Sequence, residues 1–192
     1  MTADIKAYRW IGKRPIRPDG VDKVTGRARY GADFNMPGQI VGKVLRSPHA
    51  HARITSIDTS KSMALPGVRA VITAADMPLA SHTAGPAGES PVNMHDLAYN
   101  ILARGKVLYE GHAIAAVAAT TSEVADDALA LIEVEYDVLP HVIDAVEAMA
   151  PGAPILHDDL FTDGVTPKPN KPSNVAKRVE FNAGDVATGF EQ

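Results

Sequence analysis

Lys106–Asp144 reads KVLYEGHAIAAVAATTSEVADDALALIEVEYDVLPHVID, and its changing periodicity decides the fold class of the whole chain. Ile114–Ala119 is a continuous apolar run, too short for a membrane span and suited to a strand buried on both faces. Thr120 as N-cap, with Glu123 three residues on, forms a capping box and predicts that a helix follows. Val124, Ala125, Ala128, Leu131 and Ile132 then share one helical face, while Glu123, Asp126 and Asp127 lie elsewhere, near the positive N-terminal end. From Glu133 the period becomes two: Glu133, Glu135 and Asp137 point one way, Val134, Tyr136 and Val138 the other. The stretch is therefore strand, helix, strand, ending at Pro140. Its two strands can lie parallel through a right-handed crossover, although the short connections leave other pairings open.

Working outward, Asp33–Gly38 supplies Pro-Gly turn chemistry before an expected strand at 39–46. The loop SPHAHA returns the chain into a second strand at 53–58. Asp58 or Thr59 can cap a short helix over 60–64, which Pro66-Gly67 stops before a strand at 68–73. Residues 76–100 are rich in Pro, Gly, Ser and His without a usable period and read as a long irregular, partner-facing loop. The first 27 residues are broken by Gly12, Pro15, Pro18, Gly20 and Gly26 and read as an extended arm whose Trp10 packs on a neighbouring surface, with a solvent-exposed anchor for a partner chain as the alternative. A short strand is expected to begin at Ala28–Tyr30. Beyond about Ile155 turn-formers dominate again. These parts make a single β-rich α+β domain over 28–154, with one short and one longer helix, between extended arms at 1–27 and 155–192.

The 192 residues are 45% hydrophobic and 22% charged, an ordinary globular composition. A net charge of -4 with scattered basic residues argues against a nucleic-acid partner. The chain has no cysteine, so it can supply no disulfide, thiolate zinc site, cysteine-ligated iron–sulfur cluster or cysteine nucleophile. The first fifteen residues, MTADIKAYRWIGKRP, contain no apolar signal-peptide core, and no run is long enough for a transmembrane helix, so a cytoplasmic protein without membrane contact is expected.

Several residues invite a chemical reading. His49 and His51 can put two imidazoles on one side of an extended segment, but no spacing supplies a third or fourth metal ligand, and a hydrogen-bonded loop accounts for them more simply. Ser47 beside two histidines lacks the G-x-S-x-G elbow of an activated nucleophile. Tyr109-Glu110-Gly111-His112 marks a strand entrance where Glu110 and His112 are an acid/base candidate, with a solvated turn the simpler reading. Neither G-x-G-x-x-G nor G-x-x-x-x-G-K-[ST] occurs. Asp126, Asp127, Glu133 and Glu135 read as wet faces of a helix and a strand.

The wording of four segments matters beyond their chemistry: IGKRPIRPDGVDKVTGRARYGADF, VLRSPHAHARITSIDTSKSMALPGVRAVITAAD, the opening stretch continued through AVEAMAPGAPILHDDL, and VEFNAGDVATGF. Together they resemble the N-terminal part of the molybdenum hydroxylase large subunit, the family of xanthine dehydrogenase, aldehyde oxidase and carbon monoxide dehydrogenase. The resemblance implies an α/β-hammerhead domain that supports a molybdopterin-binding catalytic region and subunit assembly. It further implies an oxidoreductase whose electrons pass to iron–sulfur clusters and often FAD on other domains or subunits. The family's cofactor loops and active-site glutamate lie beyond the matched region, so no catalytic, cofactor-binding or metal-binding residue is assigned here, and the chain alone is expected to be inactive. Where the family commonly has Gly-Glu-Pro or Gly-Gln-Pro, this chain has Gly111-His112-Ala113, so no role tied to that polar residue or proline is transferred. A different class of function, a free-standing adaptor on the same fold using the 76–100 loop, is the alternative.

Overall fold

The apolar run of Lys106–Asp144 becomes the middle strand of a three-stranded antiparallel sheet. The computed structural model describes residues 9–79, 84–87 and 90–191. In chain order the elements are α1 Gly20–Val24, β1 Val41–Arg46, β2 Ala52–Asp58, α2 Ser60–Ala64, β3 Val68–Thr73, β4 Ala84–Ala87, β5 Ser90–Asn93, α3 Met94–Ile101, β6 Lys106–Val107, β7 Ala113–Ala119, α4 Ser122–Ala130, β8 Glu133–Val138, α5 Ala145–Ala148 and α6 Val186–Phe190. Single 3-10 turns lie at Gly31–Asp33 and Ala74–Asp76. The strands form sheets in the orders β1-β7-β3, β6-β2-β8 and β4-β5, all antiparallel. This is the α+β class expected.

β7 and β8 therefore belong to different sheets, and the parallel crossover left open by the sequence does not form. Only Leu131 and Ile132 separate α4 from β8, too few residues to bring the chain back beside the sheet that α4 covers. On that covered face Leu45, Ala115, Val117, Ala119, Val68 and Val71 meet Val124, Ala125, Ala128, Leu129 and Ile132. Ala52, Ala103, Val107 and Ile114 form a second cluster, and Ile57 and Val134 pack against both, so the two sheets share one core. The outward face of the second sheet carries Arg53, Ser56, Asp58, Glu133, Glu135 and Asp137, in register and exposed.

Two details of α4 differ from expectation. Its N-cap is Thr121, whose Oγ1 accepts from the Val124 N–H at 3.2 Å. Thr120 still belongs to the sheet end, because its N–H donates to the Gly67 carbonyl at 2.9 Å, and so the helix begins one residue later. The apolar face uses Leu129, while Leu131, at the C-cap, is only half-buried and is not among the side chains packed on the core. Of the two capping candidates for α2, Asp58 serves: its Oδ1 accepts from the Ser60 N–H at 2.8 Å, while Thr59 makes no side-chain cap.

The 76–100 segment is not irregular. It holds the β4-β5 hairpin and α3, whose N-cap Asn93 accepts from the His95 N–H at 3.0 Å; residues 80–83 and 88–89 of the expected loop lie outside the described residues. Pro86 and Pro91 read as breakers in the sequence, yet a two-stranded hairpin consists only of edge strands, where proline is tolerated.

The chain divides into two units, one up to Gln39 and one from Ile40 onward. In the first, α1 is tied by ion pairs of Asp19 with Arg17 and Lys23 and of Asp22 with Arg27. The strand expected at Ala28–Tyr30 is absent. The Tyr30 N–H instead donates to Asp33 Oδ2 at 2.8 Å and starts a 3-10 turn. Trp10 remains 63% exposed, with the Arg9 guanidinium 4.9 Å from its ring centroid in place of the expected neighbouring surface. In the second unit, residues 155–178 have little regular structure but are tied down. Asn174 Nδ2 donates to the Ala148 and Pro154 carbonyls, its Oδ1 accepts from the Leu156 N–H, and Asp163 exchanges backbone bonds with Ala176 and Arg178.

Candidate functional site

Two motifs that the sequence presents separately, SPHAH at 47–51 and YEGH at 109–112, meet at one corner. The Ser47 N–H donates to the His112 carbonyl at 2.9 Å and the Gly111 N–H donates to the Ser47 carbonyl at 2.8 Å, which closes the ladder just past the bulge at Leu45/Arg46. Gly111 has φ +84°, the left-handed conformation that glycine adopts without strain, and its carbonyl accepts from Arg46 Nη1 at 2.8 Å. Across the corner, the His49 ring stands edge-on to Tyr136 at 4.8 Å. His51 is buried and its Nδ1–H donates to the Pro140 carbonyl at 2.6 Å, tying β2 to the end of β8.

This geometry decides the chemistry. Ser47 is buried and its hydroxyl is spent on the backbone of His49, donating to the carbonyl and accepting from the N–H, both at 3.0 Å. Burial pushes the pKa of the neighbouring Tyr136 phenol up, and the Ser47 side chain pulls it the other way. The arrangement holds Ser47 for turn-making rather than for attack on a substrate. Glu110 is exposed while His112 is fully buried, so the two do not form the acid/base pair considered from the sequence. Nor is His112 part of a solvated turn. Its Nδ1 accepts from the Leu108 N–H at 3.2 Å, its Nε2–H donates to the Tyr99 carbonyl at 2.9 Å, and Tyr109 stacks on its ring at 4.4 Å. Burial pushes its pKa down, and the nearby His157 adds to that direction. Tyr99 and Tyr136, which complete these contacts, carry no motif in the sequence that would have singled them out.

The family resemblance implies a molybdopterin, and the residues present do not fit one. Among the described residues no group of three or more His, Cys, Asp and Glu could hold a metal ion. A groove of about 740 Å³ is lined by Asp96, Asp159 and Asp163 with Lys168, a donor set that repels the phosphate of a pterin cofactor. A second groove of about 550 Å³ runs between β2 and β3, but Arg104 on its wall is committed to the Ala74 and Met77 carbonyls. The corner joins the loop before β2 to the turn before β7 and to β8.

Comparison with known proteins agrees with the fold. The family of aldehyde oxidase and xanthine dehydrogenase a/b hammerhead domains matches residues 25–140, and the chain belongs to it. The chain is 39% identical over 176 residues to a probable xanthine dehydrogenase component of Bacillus subtilis, covering 92% of this chain and 21% of that protein. It is 40% identical over 156 residues to the carbon monoxide dehydrogenase large chain of Afipia carboxidovorans, covering 78% and 18%. A crystal structure of the Cu,Mo-CO dehydrogenase superimposes with a TM-score of 0.62 at 38% identity, again over 78% of this chain and 18% of that one. The chain therefore spans about a fifth of the length of these relatives. The homologous enzymes are molybdenum-cofactor enzymes, and no helix among the described residues is long and apolar enough to cross a membrane.

Proposed function

We propose that this chain is the structural hammerhead domain of a molybdenum-hydroxylase-type oxidoreductase, supporting a molybdopterin-binding catalytic region and the assembly of that enzyme in the cytoplasm. Its partners are that region together with iron–sulfur and flavin domains or subunits. The observation that carries this reading is the corner itself. His51 and His112 there tie separate segments together and Ser47 is spent on the turn backbone, while the fold and sequence agree with a family of large molybdenum enzymes.

The reading is tested by purifying the chain alone and together with a molybdopterin-binding region of the family. Alone it is expected to fold, to carry no molybdenum by elemental analysis and to oxidise neither purines nor aldehydes. With the region present, the two are expected to co-purify as a stoichiometric complex. Stoichiometric molybdopterin on the isolated chain, or a monomer indifferent to the cofactor-binding region, would overturn it.

A further inference from the structure

The three-stranded sheet has a second face, opposite α4. The register places Gly42, Ala118 and Ala70 in one row across it and Val44, Ala116 and Ile72 in the next. No charged or hydrogen-bonding side chain interrupts these rows. Val44 and Ile72 are each 40% exposed, while α4 packs on the other side of these strands. An antiparallel sheet with one wet face normally alternates apolar and polar residues, and the other sheet of this domain does so with Arg53, Glu135 and Asp137 outward. On the face opposite α4 the second cluster covers the Ile114 end of β7, and the two apolar rows beyond it stay part-exposed among the described residues.

Size argues which occupant fits. Three strands spaced about 4.8 Å apart, with two apolar rows along them, offer on the order of 200 Å², well below the roughly 800 Å² per partner of a stable dimer. A face this small does not hold a second copy by itself. It suffices as one patch of an interface between domains of a single assembly, where the other contacts and a high effective concentration do the rest. In the relatives the matched part is about a fifth of the chain, so a much larger body lies beside this domain. From this we infer that the Gly42–Ala118–Ala70 and Val44–Ala116–Ile72 face is the surface on which the molybdopterin-binding region docks. The flat, small-residue centre takes large apolar side chains from that region, with Val44 and Ile72 as its borders. The inference rests on the functional reading above and specifies its contact.

Because the chain contains no cysteine, single engineered thiols report accessibility directly. Val44→Cys and Ile72→Cys replace side chains that are already part-exposed, and Glu135→Cys marks the polar sheet. Thiol alkylation is followed by mass spectrometry in the chain alone and in its complex with the molybdopterin-binding region. We expect Cys at positions 44 and 72 to react at least tenfold more slowly in the complex and position 135 to be unchanged. Equal reactivity at 44 and 72 in the two samples would overturn the docking face while leaving the functional reading intact. Concentration-dependent protection in the chain alone would assign the face to a second copy and overturn the occupant. Failure to recover any complex, with thermal unfolding showing each variant folded, would sink the functional reading and this inference with it.

Discussion

His112 holds the carbonyl of Tyr99, thirteen residues before it, through an Nε2–H bond of 2.9 Å, and takes the Leu108 N–H on its Nδ1. These two bonds need the neutral ring with its proton on Nε2, because Nδ1 must present a lone pair. One side chain thus fixes the end of α3 against the turn that enters β7. A charged imidazole would lose the Leu108 bond and stand unsolvated at the centre of the corner.

Stability should therefore fall in mild acid. The folded-state pKa of His112 is below the unfolded value near 6.5, so the unfolded chain binds the extra proton first. The stabilising contribution is fully present above about pH 6.5 and is lost as pH falls from there toward the lowered folded value, at up to about 1.4 kcal/mol per pH unit. Urea midpoints between pH 8 and pH 5 measure it. Glu123 and Asp58, whose pKa values are also lowered by hydrogen bonds, act in the separate window below about pH 4.5. His112→Gln should remove the slope between pH 7 and 5 and lower stability at pH 8 by about 1–3 kcal/mol, since one buried bond is lost. An unchanged slope in that variant would locate the titrating group elsewhere.

The two threonines before α4 separate a true cap from an adjacent one. Thr121→Ala removes the acceptor of the Val124 N–H and should cost about 1 kcal/mol. Thr120→Ala should cost less, because its sheet bond comes from the backbone. Thermal unfolding of both variants, side by side, checks the assignment; equal losses would contradict it.

The strands of the core were legible because alternation and apolar runs report burial directly: β1, β2, β3, β7 and β8 lie within one or two residues of expectation. α4 was legible too, but its cap was not, because the spacing to Glu123 points to Thr120, whereas its N–H is taken by the Gly67 carbonyl and the neighbouring Thr121 caps instead. The β4-β5 hairpin was hidden by Pro86 and Pro91, and the corner by distance along the chain. Ser47, Gly111 and Tyr136 meet through register, and nothing local to any of them states that register.

The core position at the end of α4 whose loss matters most is Ile132, in the two-residue link to β8. Ile132 is buried in the cluster with Ala115, Ala125 and Ala128, whereas Leu131 is half-buried beside it. Ile132→Asp should unfold the domain, combining about 1.5–3 kcal/mol of lost burial with the cost of a buried charge, against a total stability near 5–15 kcal/mol. Leu131→Asp should leave a folded protein with a lower melting temperature. Circular dichroism melts distinguish them, and a cooperative, native-like transition in Ile132→Asp would show that the helix face is assigned wrongly.

Gly67 joins the same region to the turn before β3. Its φ is +99°, and an added Cβ would lie 2.9 Å from Thr120 Oγ1 and 3.1 Å from Val124 Cγ1. Alanine there meets both backbone strain and a crowded helix start, so Gly67→Ala should destabilise by more than about 1 kcal/mol, seen as a lower urea midpoint with an unchanged m-value.

Gly164 makes the corresponding test for the segment after residue 155. Its φ is +76°, and a Cβ would fall 2.1 Å from the Arg178 carbonyl oxygen, a contact that backbone cannot relieve without separating the two strands of chain. The bonds at risk are those of Asp163 with Ala176 and Arg178, which hold 155–178 as a closed loop. Because this loop lies outside the two core clusters, Gly164→Ala should open it without unfolding the domain. The expected signature is rapid proteolytic cleavage between Asp163 and Arg178 with little change in melting temperature. Protection equal to wild type would mean that the loop is held by Asn174 and its three backbone partners rather than by the Asp163 bridge.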